Sequence, residues 1–187
     1  MNRSTTEQSP PAPEATPFDD GALYDIFFER LDLGLDFHLG LAQAAGGPVL
    51  DVACGTGRIM LPCLKAGGDV QGLDLFPGML TRLRQKASAL GFEPKLHHAN
   101  MAAFRLPRRY ALVMIPFNAF VHNLTSDDQL ATLQSCRHHL EPDCAGLDRS
   151  RCKGGNSMNC PNTCRKKTIP ISAVAQARAP RNLAMRK

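Results

Sequence analysis

Residues 48–58 read PVLDVACGTGR, and this stretch decides the fold. A short apolar run, Val49 to Ala53, changes abruptly into Cys-Gly-Thr-Gly. Such a run, bounded by turn residues, is typical of a buried strand. Glycine allows the backbone to turn tightly and to approach a ligand closely. The stretch therefore predicts a strand over 48–53 that ends in a ligand-binding turn.

Short apolar runs alternate with helical patterns along most of the chain. Apolar residues at spacings of three and four predict helices over 19–45, over 57–67, from Pro77 to a stop at Gly91, and from Ser126 to Leu140. Ser126 and Gln129 have the spacing of a capping box. The runs 48–53, 69–74, 94–99 and 110–116 predict strands. This alternation predicts an α/β fold with a Rossmann-like parallel sheet, covered on both faces.

The composition is that of a soluble globular chain. Of its 187 residues, 43% are hydrophobic and 21% are charged. No run reaches the roughly 18 apolar residues of a membrane span, and no signal-peptide core precedes the first helix. The sequence therefore predicts a cytoplasmic protein without a membrane partner. In that compartment the seven cysteines are expected to be free thiols.

Charge and composition divide the chain into three parts. Residues 1–17 contain four prolines and predict a disordered leader. Residues 18–143 carry the α/β pattern, and residues 1–143 together hold 12 basic and 16 acidic residues. Residues 144–187 hold 10 basic residues, one acid and four of the seven cysteines. They predict a basic, cysteine-containing and disordered tail.

The glycine turn can be compared with three kinds of nucleotide site. A P-loop requires Gly-Lys-Ser/Thr, but Arg58 and Ile59 follow Gly57. A dinucleotide site prefers a third small residue, where this chain has Met60. Asp51 would repel a pyrophosphate but attract the ammonium and sulfonium groups of S-adenosylmethionine. Asp74, at the end of the next predicted strand, suits the ribose hydroxyls, so S-adenosylmethionine is the predicted cofactor.

The same residues resemble a known family, the class I S-adenosylmethionine-dependent methyltransferases of the small methyltransferase-domain type. The resemblance rests on YDIFFE (24–29), PVLDVACGTGRIMLP (48–62), VQGLDLFPGML (70–80), HANM (98–101), LVMIPFNAFVHNLT (112–125) and LATLQSCRHHLEP (130–142). These pieces span about two thirds of the chain. The resemblance implies a methyl transfer from S-adenosylmethionine to an acceptor.

The resemblance also implies roles for individual residues. Asp51, Gly55 and Gly57 would contact the methionine part of the cofactor, and Asp74 would contact the ribose. Leu75 and Asn100 would lie at the adenine, with the backbone of Met101 beside it. Tyr24 would belong to a helix that covers the cofactor, and Phe117 would lie near the methyl group. Asn118 occupies the segment that faces the transferred methyl group, and His122 is a second catalytic candidate. No metal site is predicted.

A small molecule is the expected methyl acceptor. The Asn-Pro-Pro-Tyr motif of amide and adenine methylation is absent, because residues 115–118 read IPFN. The acidic balance of residues 1–143 disfavours nucleic acid as the substrate. The sequence makes no prediction of oligomeric state.

The tail departs from the family pattern near residue 143. A frameshift, a fusion scar or an alternative end would each explain this, and we expect a domain incomplete at its C-terminal sheet edge, with weak or no activity. The strand over 110–116 would then be an exposed edge. The alternative is a non-catalytic, methyltransferase-like protein whose basic tail binds nucleic acid or metal. The tail cysteines at 144, 152, 160 and 164 do not have paired zinc-module spacing.

Overall fold

The structure, a computed structural model, describes Thr16 and residues 18–141. Apart from Thr16, the predicted leader lies outside these residues. The predicted tail also lies outside them, together with the proposed departure from the family and the nucleic-acid or metal alternative.

Five α-helices and four strands alternate along the described chain. The helices are α1 (Gly21–Phe28), α2 (Leu35–Ala44), α3 (Met60–Lys65), α4 (Pro77–Ala89) and α5 (Ser126–His139). The strands are β1 (Val49–Val52), β2 (Val70–Asp74), β3 (Leu96–His98) and β4 (Leu112–Met114). A short 3-10 helix, Ala119–His122, follows β4. Within the described residues, no helix combines the length and the apolar character that crossing a membrane requires.

The four strands form one parallel sheet in the order β3-β2-β1-β4. The predicted parallel α/β fold is therefore confirmed. In the register, Val52 lies beside Leu73 of β2, and Asp51 lies beside Met114 of β4. The chain adds β2 and β3 on one side of β1 and returns to place β4 on the other. Ligands of open α/β sheets bind at such a switch point, beyond the carboxyl ends of the strands.

Strands β1, β2 and β4 are buried, and β1 contributes side chains to a hydrophobic cluster on each face of the sheet. Val49 belongs to one hydrophobic cluster, whereas Leu50 and Val52 belong to the other. The first cluster joins β1 to α3 and α4 through Met60, Leu61, Leu80 and Leu83, and the second includes Phe104, Tyr110 and Cys136. Because side chains alternate along a strand, Asp51 projects to the same face as Val49.

Residues 19–45, predicted to be largely helical, form two helices, because residues 29–34 separate α1 from α2. Gly34, with φ of +70°, makes the left-handed turn at which α2 begins. The predicted helix over 57–67 is shorter too, since Gly57 has φ of +90° and α3 begins at Met60. Helix α5 is capped by Thr125, whose hydroxyl accepts from the Asp128 amide, rather than by Ser126.

The predicted strand over 110–116 pairs with β1 over a shorter stretch, Leu112–Met114. On its other side, Tyr110 forms a parallel bridge with Leu140. The Tyr110 amide donates to the His139 carbonyl at 2.7 Å, and the Glu141 amide donates to the Tyr110 carbonyl at 2.9 Å. The chain that leaves α5 thus lies alongside the outer edge of β4 where the described residues end.

Helix α1 crosses α4 at a contact between backbones. A Cβ built on Gly78 would lie 1.9 Å from the carbonyl oxygen of Asp19. A Cβ built on Gly21 would lie 2.5 Å from the Cβ of Arg82. Glycine is therefore required on both sides of the crossing, because any side chain would separate the two segments.

We predict that Gly78→Ala lowers the free energy of unfolding by about 1–3 kcal/mol, because its methyl group must displace the Asp19 carbonyl. Gly40 in α2 is the matched control, since a Cβ there meets nothing within 4 Å. Gly40→Ala should raise the free energy of unfolding by about 0.5–1 kcal/mol. Urea unfolding of the full chain measures both values. Equal effects of the two substitutions would contradict the close crossing.

Candidate functional site

A pocket opens at the switch point, where β1 and β4 end. The walls come from three parts of the chain: Tyr24 of α1, then Asp51, residues 53–56, Arg58 and Ile59, and finally Pro116 and Phe117 after β4. The ends of β1 and β4 thus meet at one concave surface, whereas Asp74 at the end of β2 is not among the residues that line it.

Two residues of the pocket wall have a backbone conformation that is rare outside glycine. Ala53 has φ of +58° and Phe117 has φ of +56°. Each follows a strand, and the two face the same pocket. Such left-handed residues cost on the order of 1–3 kcal/mol each and concentrate at ligand sites. The strain supports a binding role for the ends of β1 and β4.

The two glycines of the turn serve different purposes. Gly55 lines the pocket, and a Cβ added to it would meet nothing within 4 Å. Gly57 does not line the pocket. A Cβ on Gly57 would lie 2.2 Å from Cδ1 of Leu83 and 3.0 Å from Cγ of Leu61. Gly57 therefore lets the turn pack against α3 and α4, while Gly55 leaves the backbone open toward a ligand.

Asp74 links the end of β2 to the glycine turn. Its Oδ2 accepts from the Gly55 amide at 2.8 Å, and its Oδ1 accepts from the Phe76 amide at 2.9 Å. Burial raises the pKa of Asp74, and the hydrogen bonds from the Phe76 and Gly55 amides oppose this rise. A carboxylate has about four acceptor positions, so about two remain for a ligand.

Asp51 is a fully buried carboxyl group, and neither of its oxygens has a hydrogen-bond partner among the residues that the structure describes. Burial raises its pKa to about 8, although the positive charge of Arg58 opposes the rise and the charge of Asp74 adds to it. A buried polar group that lacks a partner is costly. Because Asp51 lines the pocket, its missing partner can come from a bound cation.

Arg58 is a pocket residue whose role the sequence analysis did not assign. Its Nη1 donates to the carbonyls of Leu31 and Leu33, at 3.0 and 2.9 Å, in the segment between α1 and α2. Its guanidinium carbon lies 5.1 Å from the centre of the Phe117 ring. Arg58 thus places a positive charge in the same pocket as Asp51. The sequence signal that could have indicated a role for Arg58 at the site is its position directly after Gly57.

The residues expected at the adenine lie beyond this pocket, along the ends of β2 and β3. Leu75 follows Asp74 and is 49% exposed. Asn100 is exposed, and its Oδ1 accepts from the Ala102 amide at 2.8 Å. Met101 is half-buried next to it. The predicted cofactor residues therefore follow the carboxyl ends of β4, β1, β2 and β3, which are neighbouring strands in that order. An extended ligand would require such a row of residues.

Aromatic rings cover the pocket from the side of α1. Tyr24 lines the pocket, and its ring centre lies 4.6 Å from that of Phe28 and 6.0 Å from that of Phe18. Phe28 in turn lies 6.1 Å from Phe117. Burial raises the pKa of Tyr24, so its hydroxyl is neutral at physiological pH. Helix α1 thus places Tyr24 in the pocket wall with Phe28 beside it, and the covering role expected from the sequence stays a prediction.

Asn118 and His122, the catalytic candidates, are not among the residues that line the pocket, although Asn118 directly follows the lining residue Phe117. Both are exposed, at the start and the end of the short 3-10 helix. The His122 ring makes an edge contact with Phe18, with 5.3 Å between ring centres. The structure therefore brings His122 to the aromatic cover and leaves both side chains accessible to a second substrate.

Asp25 is the other residue that the sequence analysis missed. Its buried carboxylate accepts from the Thr56 hydroxyl in the glycine turn and from Arg82 and Lys86 of α4. Helix α1 carries the apolar residues Leu23, Ile26 and Phe27, but all three are exposed, and α1 buries Gly21 and Asp25 instead. Among the described residues, no group of three or more His, Cys, Asp or Glu could hold a metal ion.

Known proteins match the region that contains this site. The family model described as "Methyltransferase domain" matches residues 49–143. A dTDP-3-amino-3,4,6-trideoxy-alpha-D-glucopyranose N,N-dimethyltransferase of Streptomyces venezuelae is 32% identical over 133 residues, 66% of this chain and 54% of that protein. A dTDP-3-amino-3,6-dideoxy-alpha-D-glucopyranose N,N-dimethyltransferase of Streptomyces fradiae is 31% identical over 130 residues, 65% of this chain and 49% of that protein.

A solved structure is similar as well. The glycopeptide N-methyltransferase MtfA, complexed with S-adenosyl-L-methionine, is 30% identical with a TM-score of 0.50, over 58% of this chain and 50% of that chain. This chain spans about half the length of the curated relatives it matches. The family match extends over more than half of the 187 residues and contains β1 to β4. The chain therefore belongs to the methyltransferase-domain family of class I S-adenosylmethionine-dependent methyltransferases.

Proposed function

We propose that this protein binds S-adenosylmethionine along the carboxyl edge of its sheet and transfers the methyl group to the amine of a small, sugar-like acceptor. The observation that carries the proposal is Asp51, a buried carboxyl group that the described residues leave without a partner, in a pocket that also contains Arg58. The amino-acid end of S-adenosylmethionine carries one positive and one negative group. Asp51 suits its ammonium, and Arg58 suits its carboxylate.

The adenosine part is assigned to the neighbouring strand ends. Asp74 retains acceptor positions for the ribose hydroxyls, and Leu75 offers an exposed apolar surface to the adenine. Asn100 and the backbone of Met101 follow β3 and are proposed to lie at the adenine edge. The Asn100 Oδ1 already accepts one hydrogen bond, so one acceptor position remains.

The protein's main task is to position two reactants and exclude water. When bound, S-adenosylmethionine supplies an electrophilic methyl group on a sulfonium. Tyr24 and Phe117 present aromatic rings to the pocket, and such rings attract cations. Phe28 completes the cover between them, which keeps bulk water from the reacting centre.

The relatives support an amine as the acceptor. The two curated relatives are named as N,N-dimethyltransferases of amino sugars, and MtfA is named as an N-methyltransferase. An amine must be unprotonated to attack, so a nearby base assists the reaction at neutral pH. We assign Asn118 and His122, exposed beside the pocket, to contact the acceptor, with His122 as the candidate base. The cytoplasmic location remains a prediction.

The first test is cofactor binding to the full chain by calorimetry. We expect saturable binding of S-adenosylmethionine, which Asp74→Ala weakens by at least about tenfold, because charge-assisted hydrogen bonds to the ribose are lost. Asp69→Ala is the matched control, since Asp69 precedes the same strand at its opposite end and is exposed. It should bind like the wild type. Equal or tighter binding of NAD would contradict the proposal.

The second test uses the pKa of Asp51, which burial raises to about 8. The free protein therefore holds this carboxyl group protonated at pH 6–7, and pairing with an ammonium ionises it. Binding should release close to one proton there, and affinity should increase as the pH approaches 8. Calorimetry in buffers of different ionisation enthalpy measures this release, and Asp51→Asn should abolish it. Wild-type binding without proton release would contradict the ion pair.

The raised pKa of Asp51 also makes the free energy of unfolding depend on pH. Its folded pKa lies above the unfolded value of 3.8, so the folded state binds more protons between these values. The free energy of unfolding therefore falls as the pH rises from about 4 to about 8. Asp51→Asn removes this contribution, so the variant should be more stable than the wild type at pH 8 and similar to it near pH 4.

The third test concerns the acceptor. Incubation of the full chain with S-adenosylmethionine and a dTDP-3-amino-sugar should yield a product with one or two added methyl groups, detected by mass spectrometry. His122→Ala should slow the reaction at pH 6–7, and the rate should recover at higher pH, where the amine loses its proton unaided. Methylation of the corresponding 3-hydroxy sugar but not of the amine would contradict an amine acceptor.

A further inference from the structure

Asp25 is a buried charged residue to which the proposed chemistry gives no role. Its side chain is 4% exposed, and it lies on α1 directly after the pocket residue Tyr24. Charged residues are rarely buried unless they are paired. The partners of Asp25 therefore indicate what its burial achieves.

Those partners lie on two separate elements. Oδ1 accepts from the Thr56 hydroxyl at 2.6 Å and from Lys86 Nζ at 3.0 Å. Oδ2 accepts from Arg82 Nε at 2.7 Å. Lys86 also pairs with Glu29, at the end of α1, at 2.9 Å. One carboxylate thus joins α1 to α4 and to the glycine turn.

The bond to Thr56 connects Asp25 to the pocket. Thr56 lies between Gly55 and Gly57 and is itself buried within the pocket wall. Its hydroxyl points to Asp25, so the turn is held from the side of α1. On the same helix, Tyr24 lines the pocket. Asp25 therefore belongs to α1, which supplies Tyr24 to the pocket wall, and it also contacts the glycine turn, which supplies Gly55 and Thr56.

The ionic partners make this arrangement rigid. Burial alone would raise the pKa of Asp25, but the hydrogen bonds from Thr56, Arg82 and Lys86 lower it below the usual value. The group is therefore an anion at neutral pH and retains its three partners. Its position is further restricted by the Gly21–Gly78 crossing, which brings α1 against α4.

We propose that Asp25 is a positioning residue that holds Tyr24 and the Thr56 turn in the one arrangement that the amino-acid end of the cofactor requires. This inference rests on the proposed function. Asp25 touches neither the pocket nor a reacting atom, so its effect passes through Tyr24 and Thr56. The effect should therefore be confined to ligands that reach the methionine end of the site.

The test compares two ligands of the full chain by calorimetry. S-adenosylhomocysteine has the amino-acid end, whereas methylthioadenosine lacks it. Asp25→Asn and Thr56→Val should weaken S-adenosylhomocysteine binding by about tenfold or more, because the turn and the cover lose a charge-assisted hydrogen bond. Both variants should bind methylthioadenosine within about twofold of the wild type, since Asp74 is unchanged.

Two control variants accompany these. Thr56→Ser keeps the hydroxyl group that donates to Asp25. It should therefore bind S-adenosylhomocysteine more tightly than Thr56→Val does. Asp69→Asn breaks the exposed ion pair with Arg108 at the other end of β2 and should bind both ligands like the wild type. Thermal melting of each variant shows whether it is folded. Thr56→Val keeps the proposal testable if Asp25→Asn does not fold.

The outcomes separate this proposal from the one on which it rests. If the wild type binds neither ligand, the proposed function fails, and the role of Asp25 fails with it. If the wild type binds both ligands but Asp25→Asn and Thr56→Val weaken both equally, Asp25 is a general stabilising residue and the proposal is wrong. Unchanged binding of S-adenosylhomocysteine by the folded variants would also overturn it.

Discussion

The hydrogen bond from the Gly55 amide to Asp74 is the interaction on which the site depends. It joins the turn after β1 to the end of β2 at 2.8 Å, so two motifs far apart in the sequence become one surface. Because the acceptor is a carboxylate, the bond is stronger than one between neutral groups. It holds the turn in its left-handed path, which opens the pocket above Asp51 and directs Gly57 against Leu83. The shape of the pocket thus depends on the parallel sheet, on this bond and on the bond from Thr56 to Asp25 that holds the same turn from α1.

The two buried aspartates Asp25 and Asp51 differ in whether the protein itself supplies their hydrogen-bond partners. Asp25 has three side-chain partners, and they hold it as an anion. Asp51 has no hydrogen-bond partner in the described part of the chain, and burial raises its pKa to about 8. Burying a charge is costly unless it is paired, so the first arrangement is complete within the described residues. The second is complete when a cation enters the pocket, which is why Asp51 rather than Asp25 is assigned to the ligand.

Much of the fold was predictable because β1 and β2 are uniformly buried and are bounded by glycine and polar residues. The end of each parallel strand is then a binding position, so Gly55 and Asp74 could be placed at one edge from spacing alone. Arg58 and Asp25 could not be assigned in this way. Their partners, the Leu31 carbonyl and the Thr56 hydroxyl among them, are 27 and 31 residues away in the sequence. Periodicity carries no information about such contacts.

The apolar residues of α1 do not mark the side through which it docks. Apolar spacing assumes that a helix docks through its aliphatic side chains, but α1 docks through Gly21 and the charged Asp25 and leaves Ile26 and Phe27 exposed. A contact made of hydrogen bonds and ion pairs is directional, whereas apolar packing tolerates sliding. The helix that carries Tyr24 over the pocket is therefore held at a defined position along α4. The proposed role of Tyr24, to present its ring to the ligand, depends on this defined position of α1 more than on the apolar area that α1 buries.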